Sequence, residues 1–389
     1  FFAGEDLIWG LNITRFIQRK YETVIWVAFP LDVEGVVSKY GHLHGLKGIY
    51  PPAKFEFRPY SMAGLTKYTD IRTDYETPNS WGLNYTDHSR YNIGMDIQYR
   101  INPNSKLVFA INPDFGQVES DPEDVNLTAF ETYFQEKRPF FLKDIDIFET
   151  PIEIFYSRRI GEKAWEAGMT MYTDTTRDNF NQQTCSDIGG SYVNDECITS
   201  DTLYYDIPVL FKGAGKITGR TQAGLSYGFL GAVTTLDDSS SWANQMMKGK
   251  NKNSLVTRIK QDLFDGNSFI GFMSTSNQVT TNYDYFGRDI SQLEYIHTLS
   301  VDGMANLLDN QIGLDAQIIM DAYSVQRGGS IRNRDPHKGM YGSLSFSPAG
   351  YFSGWIDYHH YDKGLNINDV GYLLRDDYTQ TRVGLKFQT

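Results

Sequence analysis

The feature that most constrains the fold of this chain is a strict alternation of apolar and polar side chains. Successive side chains of a β-strand point to opposite faces, so a strand with one apolar face is apolar at every second position. In residues 91–101 the odd positions are Tyr, Ile or Met, and the even positions are Asn, Gly, Asp, Gln or Arg. Residues 311–322 repeat the pattern. A helix, with about 3.6 residues per turn, would scatter both sets around its surface. The pattern therefore predicts strands.

Shorter stretches of the same alternation lie at 203–211, 223–233 and 383–387. Between the strands stand clusters of turn-forming residues, such as 265–267 (Asp-Gly-Asn) and 308–310 (Leu-Asp-Asn). Short connections of this composition are typical of tight hairpins. Neighbouring strands are therefore predicted to be antiparallel.

Composition and hydropathy distinguish a membrane β-barrel from a helical membrane protein and from soluble β-folds. Mean hydropathy is −0.42, and no stretch approaches the roughly 20 apolar residues of a spanning helix. The 26 Tyr, 24 Phe and 35 Gly suit pleated sheet. Apolar faces that continue for five or six alternations, opposite small and charged residues, favour a membrane barrel over a soluble sandwich, propeller or β-helix. The predicted fold class is all-β, an antiparallel transmembrane β-barrel.

The net charge of −12 argues against nucleic acid as a partner, because phosphate binding needs clustered Lys and Arg. Cys185 and Cys197 flank a polar stretch rich in Gly and Asn, which predicts a disulfide in an oxidising compartment. Reduced thiols in a cytosolic protein would give the same pattern. The start FFAGEDLIWG has no signal-peptide character, so we expect a processed or incomplete chain.

Two segments interrupt the alternation. Residues 1–52, with the loop-like run Trp9 to Lys20, are predicted to be a lead-in or linker, and residues 53–389 the barrel domain. Residues 113–150 are acidic, contain Pro113, Pro122 and Pro139, and are long for a connection. We expect this second segment to fold inward as a plug or constriction.

The run INPDFGQVESDPEDVNLTAFETYFQEKRPFFL, followed by FYSRRIG, resembles a family of large Gram-negative outer-membrane proteins. In that family a carbohydrate-binding-module-nine-like domain precedes a barrel domain of unknown function. The runs WGLNITRFIQRK, DVEGVVSKYGHLHGLKGIYPPAKFEFRPY and NINDVGYLLRDDY are similar as well, so the resemblance spans nearly the whole chain. It implies an outer-membrane location, with membrane lipids as partners, and no established reaction. Because members are longer at both ends, it also implies that most of the N-terminal module and some C-terminal strands are missing.

Acidic and basic residues concentrate between 112 and 161. The candidate luminal or ligand-binding residues are Asp114, Glu119, Asp121, Glu131, Glu136, Lys137, Arg138, Arg158 and Arg159. Our main interpretation is that acidic side chains of the inserted segment pair with basic groups on the barrel wall, because buried charges usually occur in pairs.

Two chemical alternatives use the same region. Glu119 and Glu131 could act as the acid and base of a glycoside hydrolase if their carboxylates lie about 5–10 Å apart. Asp121, Glu123 and Asp124 offer oxygen ligands of the kind that calcium prefers, although the EF-hand loop is missing. No zinc spacing accompanies the seven His, among them His42, His44, His359 and His360, so no cofactor is predicted.

We also expect no P-loop and no G-x-S-x-G nucleophile elbow. Three functions therefore stand. The first is a non-enzymatic outer-membrane barrel that passes or binds a ligand such as a glycan product. The alternatives are a surface glycoside hydrolase and a structural barrel that docks a lipoprotein or secretion partner.

Overall fold

A computed structural model gives the fold of sixteen stretches of the chain. The described residues are 7–28, 39–46, 53–73, 81–113, 130–161, 164–165, 169–174, 191–193, 196–203, 206–207, 209–236, 247–285, 288–308, 310–327, 329–348 and 352–387. Within them, no helix combines the length and the apolar character that crossing a membrane requires.

Strands dominate the described residues. In chain order they are β1 (Leu7–Leu11), β2 (Thr14–Ile17), β3 (Glu22–Ile25), β4 (Gly41–Leu46), β5 (Phe55–Thr73), β6 (Trp81–Asn102), β7 (Ser105–Ile111), β8 (Ala164–Trp165), β9 (Met169–Asp174), β10 (Ser191–Val193), β11 (Glu196–Leu203), β12 (Asp206–Ile207), β13 (Val209–Arg220), β14 (Leu225–Leu236), β15 (Met247–Leu263), β16 (Ser268–Tyr285), β17 (Arg288–Leu307), β18 (Ile312–Arg327), β19 (Ser330–Arg334), β20 (Lys338–Phe346), β21 (Phe352–Tyr361) and β22 (Tyr378–Phe387). Helical turns are α1 (Pro139–Leu142) and the 3₁₀ turns Ile145–Phe148, Ser157–Arg159 and Phe264–Gly266.

One large antiparallel sheet organises the described residues. Its strands follow the order β5-β6-β7-β13-β14-β15-β16-β17-β18-β20-β21-β22, and β19 extends the far end of β18. The predicted all-β, antiparallel class is therefore confirmed. Within the described ranges β5 and β22 form the two edges of this sheet, which is open between them.

Smaller sheets pair β1 with β4, β2 with β3, β8 with β12, and β11 with both β9 and β10. The run Trp9 to Lys20, which was expected to be loop-like, thus contains strand residues of β1 and all of β2. The strands β1 to β4 are only four to six residues long. A segment this short contains too few positions for an alternation to be recognised in the sequence.

The long strands follow the alternation. The stretch 91–101 lies in β6, and nearly all of 311–322 lies in β18. The predicted turns also form: the 3₁₀ turn Phe264–Gly266 joins β15 to β16, and Leu308 and Asn310 lie between β17 and β18. Gly266, Leu308 and Asn310 have positive φ angles, which reverse the chain sharply.

The two faces of the sheet have opposite polarity. Cross-strand partners share a face, and one row of partners runs through Ile259, Phe272, Val301, Ile318 and Met340. All five are exposed, by 38% to 60%. On the other face polar and charged side chains are buried to 3% exposure or less, namely Lys216, Arg258, Asn277, Asp302, Gln317 and Asp321. A soluble protein distributes these residue types the other way round.

A buried ion pair crosses the polar face. Arg258 of β15 and Asp302 of β17 reach across β16. The terminal nitrogens Nη1 and Nη2 of Arg258 donate to Oδ1 and Oδ2 of Asp302 respectively, the second over 2.7 Å. Both side chains are almost fully buried. In such a site each charge depends on its partner, because neither is solvated.

We therefore expect Asp302→Ala to lower the free energy of unfolding by about 3–5 kcal/mol, since it leaves Arg258 buried and uncompensated. A denaturant titration measures this. The control is Asp262→Ala, which removes the partner of the largely exposed Arg220 and should cost about 1 kcal/mol or less. Equal losses in the two variants would contradict the prediction.

Candidate functional site

Residues 130–161, here called the docked segment, lie against the polar face of the sheet. The segment is mostly irregular, with α1 and two 3₁₀ turns. Its buried apolar side chains form one core with the apolar positions of the polar face. The members from the segment are Phe140, Phe141, Phe148, Ile152, Ile154, Phe155 and Ile160, and those from the sheet are Val108, Ala110, Phe211, Ala214, Leu230, Ala232, Val256, Met273 and Ile319. Burying each large side chain contributes about 1.5–3 kcal/mol.

A second connection joins this layer. Residues 362–377, the β21–β22 loop, bond to the docked segment through backbone groups: the amide of Tyr156 donates to Val370 O (2.6 Å), and the amide of Tyr372 to Glu153 O (2.8 Å). The rings of Tyr133, Tyr156 and Tyr372 meet there, with centroids 4.9–5.4 Å apart. We call the docked segment and this loop together the docked layer.

Buried side chains of the sheet hold the docked layer by its backbone. Lys216 Nζ donates to the carbonyl oxygens of Phe140 (2.8 Å), Phe141 and Lys143. Gln317 bonds to both the amide and the carbonyl of Ile152. These contacts matter because an irregular backbone has few internal partners for its polar groups.

The β21–β22 loop is held in the same way. Lys252 Nζ and Asn277 Nδ2 both donate to Asp369 O, over 2.9 and 2.8 Å. The carboxylate of Asp321 accepts the amides of His337 (2.8 Å) and Asn366 (3.0 Å). Strands β15, β16 and β18 are thereby tied to one loop.

Charged residues inside the docked segment pair with each other. Glu136 accepts from Arg138 Nε (2.9 Å) and Nη2 (2.7 Å) and from Ser157 Oγ (2.5 Å). Burial raises the pKa of the Glu136 carboxyl, but the bonds and charge of Arg138, with the Ser157 bond, more than offset it and leave the pKa below its ordinary value. Arg159 Nη2 pairs with Glu131 Oε2 at 2.5 Å.

Asp144 supplies a direct ion pair between the docked segment and the sheet. Its carboxylate meets Lys106 Nζ at 2.7 Å and Thr218 Oγ1 at 2.5 Å. Burial raises the pKa of Asp144, and the contacts with Lys106 and Thr218 outweigh it, so the net pKa is lowered.

The expected pairing between segment acids and wall bases thus takes a different form for the residues selected from the sequence. Glu131 and Glu136 pair with Arg159 and Arg138, which lie in the same segment. The remaining two bases also contact neighbours: Arg158 donates to Gln135 O, and the Lys137 amide donates to Glu136. Among the lysines of the sheet, Lys106 pairs with Asp144, whereas Lys216 and Lys252 donate to backbone carbonyls.

Asp114, Glu119, Asp121, Glu123, Asp124 and Cys185 lie outside the described residues. The hydrolase pair Glu119 and Glu131, the calcium site and the Cys185–Cys197 disulfide therefore stay predictions. Among the described side chains no group of three or more His, Cys, Asp or Glu is arranged to hold a metal ion.

The sequence contains the spacing G-x-S-x-G, from Gly224 to Gly228, although we expect no nucleophile elbow. However, Leu225 begins β14, and Ser226 is a buried residue within that strand. A nucleophile elbow needs a sharp strand-to-helix turn that exposes the serine. The residues from Gly224 to Gly228 therefore match the spacing of the motif without forming an elbow.

The sequence also gave no reason to select Lys216, Lys252, Gln317 or Asp321. Their one signal is a polar residue at an inward position of an alternating strand, a signal that most residues of that face share. What distinguishes these four is the carbonyl or amide that the docked layer presents to them.

Comparison with known proteins gives a family and a weak structural likeness. Residues 51–389 match the family model described as "Domain of unknown function (DUF5916)". A search of curated proteins found no match. Among solved structures, the chain is similar to OmpT, an in-vitro folded outer membrane protein of Vibrio cholerae in its trimer form. The identity is 12%, the match covers 85% of this chain and 97% of that one, and the TM-score is 0.29. A score this low carries no argument about fold or function.

The lowered pKa of Glu136 makes a prediction about acid. A carboxyl with a depressed folded-state pKa stabilises the fold above its unfolded pKa of ~4.3 and loses that contribution as pH falls through the folded value. We expect Glu136→Gln to be less stable than the parent at pH 7 and to lose less stability below pH ~4.3. Denaturant titrations from pH 7 downward test this, with the exposed Glu149→Gln as control. Parallel pH curves for parent and Glu136→Gln would contradict it.

Proposed function

The chain belongs to the family of the domain of unknown function DUF5916, and we propose that it is a non-enzymatic outer-membrane β-barrel protein of a Gram-negative bacterium. In this proposal the apolar face of the sheet meets lipid. The polar face encloses a lumen that contains the docked layer and passes or binds a polar ligand.

The observation that carries the proposal is the inverted polarity of the sheet. Paired residues such as Phe272, Val301 and Ile318 form an exposed apolar band across neighbouring strands. Water makes such a band unfavourable, whereas the hydrocarbon core of a bilayer accepts it. Burial of Lys216 and Arg258 on the opposite face fits an interior that is polar and hydrogen-bonded.

A bilayer also demands that the sheet be closed. Backbone groups that face hydrocarbon without a partner cost several kcal/mol each. We therefore expect the free edges of β5 and β22 to be paired when the protein is in the membrane, which turns the polar face into a lumen wall. The docked layer then lies inside and acts as a plug or constriction.

The remaining functional alternatives are kept as hypotheses. Glu131, one of the two carboxylates selected for a hydrolase, is paired with Arg159. Docking of a lipoprotein or secretion partner is the other alternative, and no contact among the described residues favours it over passage or binding of a ligand. A glycan product is one ligand that the proposed lumen would pass or bind.

Lipid contact predicts different costs for one substitution at two positions. Ile318 and Ile331 are exposed to similar extents, 60% and 65%, but Ile318 lies in the apolar band and Ile331 on the extension β19. We expect Ile318→Lys to reduce the folding free energy in lipid vesicles by about 2–4 kcal/mol and Ile331→Lys by about 1 or less. A chain that stays monodisperse without detergent, or equal costs at both positions, would overturn the membrane proposal.

The plug predicts a change in conductance. Lys216→Met removes the donor to three carbonyls of the docked segment while keeping much of the side-chain volume. We expect larger or more frequent openings in planar bilayers, because the loosened segment no longer closes the lumen. Lys212→Met, on an exposed position of the same strand, serves as control. Identical single-channel records for the two variants would show that the docked segment does not gate the pore.

A further inference from the structure

The polar face of β20, β21 and β22 has a different character from the rest of that face. Cross-strand pairs place Tyr341 opposite His359, Trp355 opposite Gly384, and Tyr361 opposite Tyr378. Gly339, two residues before Tyr341 in β20, lies against the core residues Ile319 and Leu365. Residues two apart in a strand share a face, so Tyr341 lies on the polar face as well. Five ring-bearing side chains thus share the interior face of three adjacent strands. We call Tyr341, Trp355, His359, Tyr361 and Tyr378 the aromatic track.

Trp355 lies flat against the wall. A Cβ atom on Gly384, its cross-strand partner, would overlap the indole ring. Only a residue without a side chain leaves room for the ring at this place. The ring therefore covers the backbone of β22, and 42% of Trp355 is exposed. A flat aromatic surface is presented to the interior.

Hydrogen-bonding groups lie between the rings. Asp357 Oδ1 accepts from Ser343 Oγ at 2.7 Å, and Asp357 Oδ2 from Arg382 Nη2 at 3.2 Å. The Arg382 guanidinium carbon is 6.0 Å from the centroid of the Trp355 ring, and half of its side chain is exposed. A ligand stacked on Trp355 would meet a carboxylate, a guanidinium and a hydroxyl at its edge.

The track leads to the docked layer. Tyr341 and Tyr361 pack against the shared core, and Arg375 of the β21–β22 loop lies 4.8 Å above the ring of Tyr378. Trp355 is at the opposite end, close to the β20–β21 connection. The rings therefore follow the strands from one rim of the polar face toward the docked layer.

We propose that the aromatic track is a binding site for the pyranose rings of an oligosaccharide, an inference that rests on the proposed lumen and names its ligand class. The C–H face of a sugar ring matches the electron-rich face of an indole or phenol. Its equatorial hydroxyls match the donors and acceptors of Ser343, Asp357 and Arg382. An anionic ligand would need net positive charge, which Asp357 cancels. A wholly apolar ligand would displace water from the half-exposed Arg382 side chain without replacing the hydrogen bonds of that water.

The experiment titrates the detergent-purified protein with maltohexaose, cellohexaose and xylohexaose in a calorimeter. Benzoate and inorganic phosphate represent planar aromatic and anionic ligands. We expect at least one oligosaccharide to bind, and Trp355→Ala to weaken it by about tenfold or more, since exposed Trp residues dominate binding surfaces of this kind.

Two variants guard against a loss of fold. Gly384→Ala keeps Trp355 but pushes its ring off the wall, so it should weaken binding as Trp355→Ala does. Tyr358→Ala, on the outward face of the same strand and also aromatic, should bind like the parent. All three must show the parent's heat-modifiable migration on a gel.

Three outcomes overturn the inference. No oligosaccharide binds to detergent-purified protein that migrates as folded, benzoate or phosphate binds in its place, or Trp355→Ala and Gly384→Ala bind like the parent. Failure to insert into bilayers is a separate result, which overturns the proposed function itself.

Discussion

Hydrogen bonding between buried side chains of the sheet and the irregular backbone of the docked layer is the interaction on which the rest of the structure depends. The docked segment has little internal hydrogen bonding, so its carbonyls and amides need external partners. Lys216, Lys252, Asn277 and Gln317 supply them from β13, β15, β16 and β18. The same contacts satisfy the donor groups of these side chains, each of which would otherwise be buried at a cost of about 1–3 kcal/mol. The backbone of the docked layer and the polar side chains of the sheet therefore depend on each other for their hydrogen bonds.

The outward apolar band follows from the same arrangement. A sheet that uses its polar side chains to hold an internal layer has only its apolar face left for the surroundings. Residues such as Val301 and Ile318 then stay exposed, which water disfavours and lipid accepts. The interior is uneven, because the docked layer packs on β7 and β13 to β18 while the strands from β20 to β22 present rings and hydrogen-bonding groups. Both regions fit the lumen that we propose, with the docked layer as its plug and the aromatic track along one wall.

The long strands were predictable because alternation is a local property. Tyr91 to Ile101 and Ile312 to Ala322 show their faces in the sequence itself, and the turns at 265–267 and 308–310 identify themselves by composition. The small strands β1 to β4 could not be recognised in the sequence, because four to six residues are too few to show an alternation. For the site, the sequence marked the region containing Glu131, Glu136, Arg138 and Arg159 as charged and outside the alternation. The sequence did not predict the ion-pair partners of these residues. Glu136 and Arg138 are two residues apart, and in an irregular segment this spacing does not determine whether two side chains meet.

The sequence by itself determined that this protein is an antiparallel sheet protein with one apolar face, because the period of a strand is written into successive residues. It also marked 113–150 as the segment outside that pattern. Only the tertiary structure decided which face of the sheet residues 130–161 pack on, that lysines of the sheet bond to their carbonyls, and that Trp355 lies flat over Gly384. Those facts depend on residues from about 30 to more than 160 positions apart, and no local pattern records which distant groups the fold brings together.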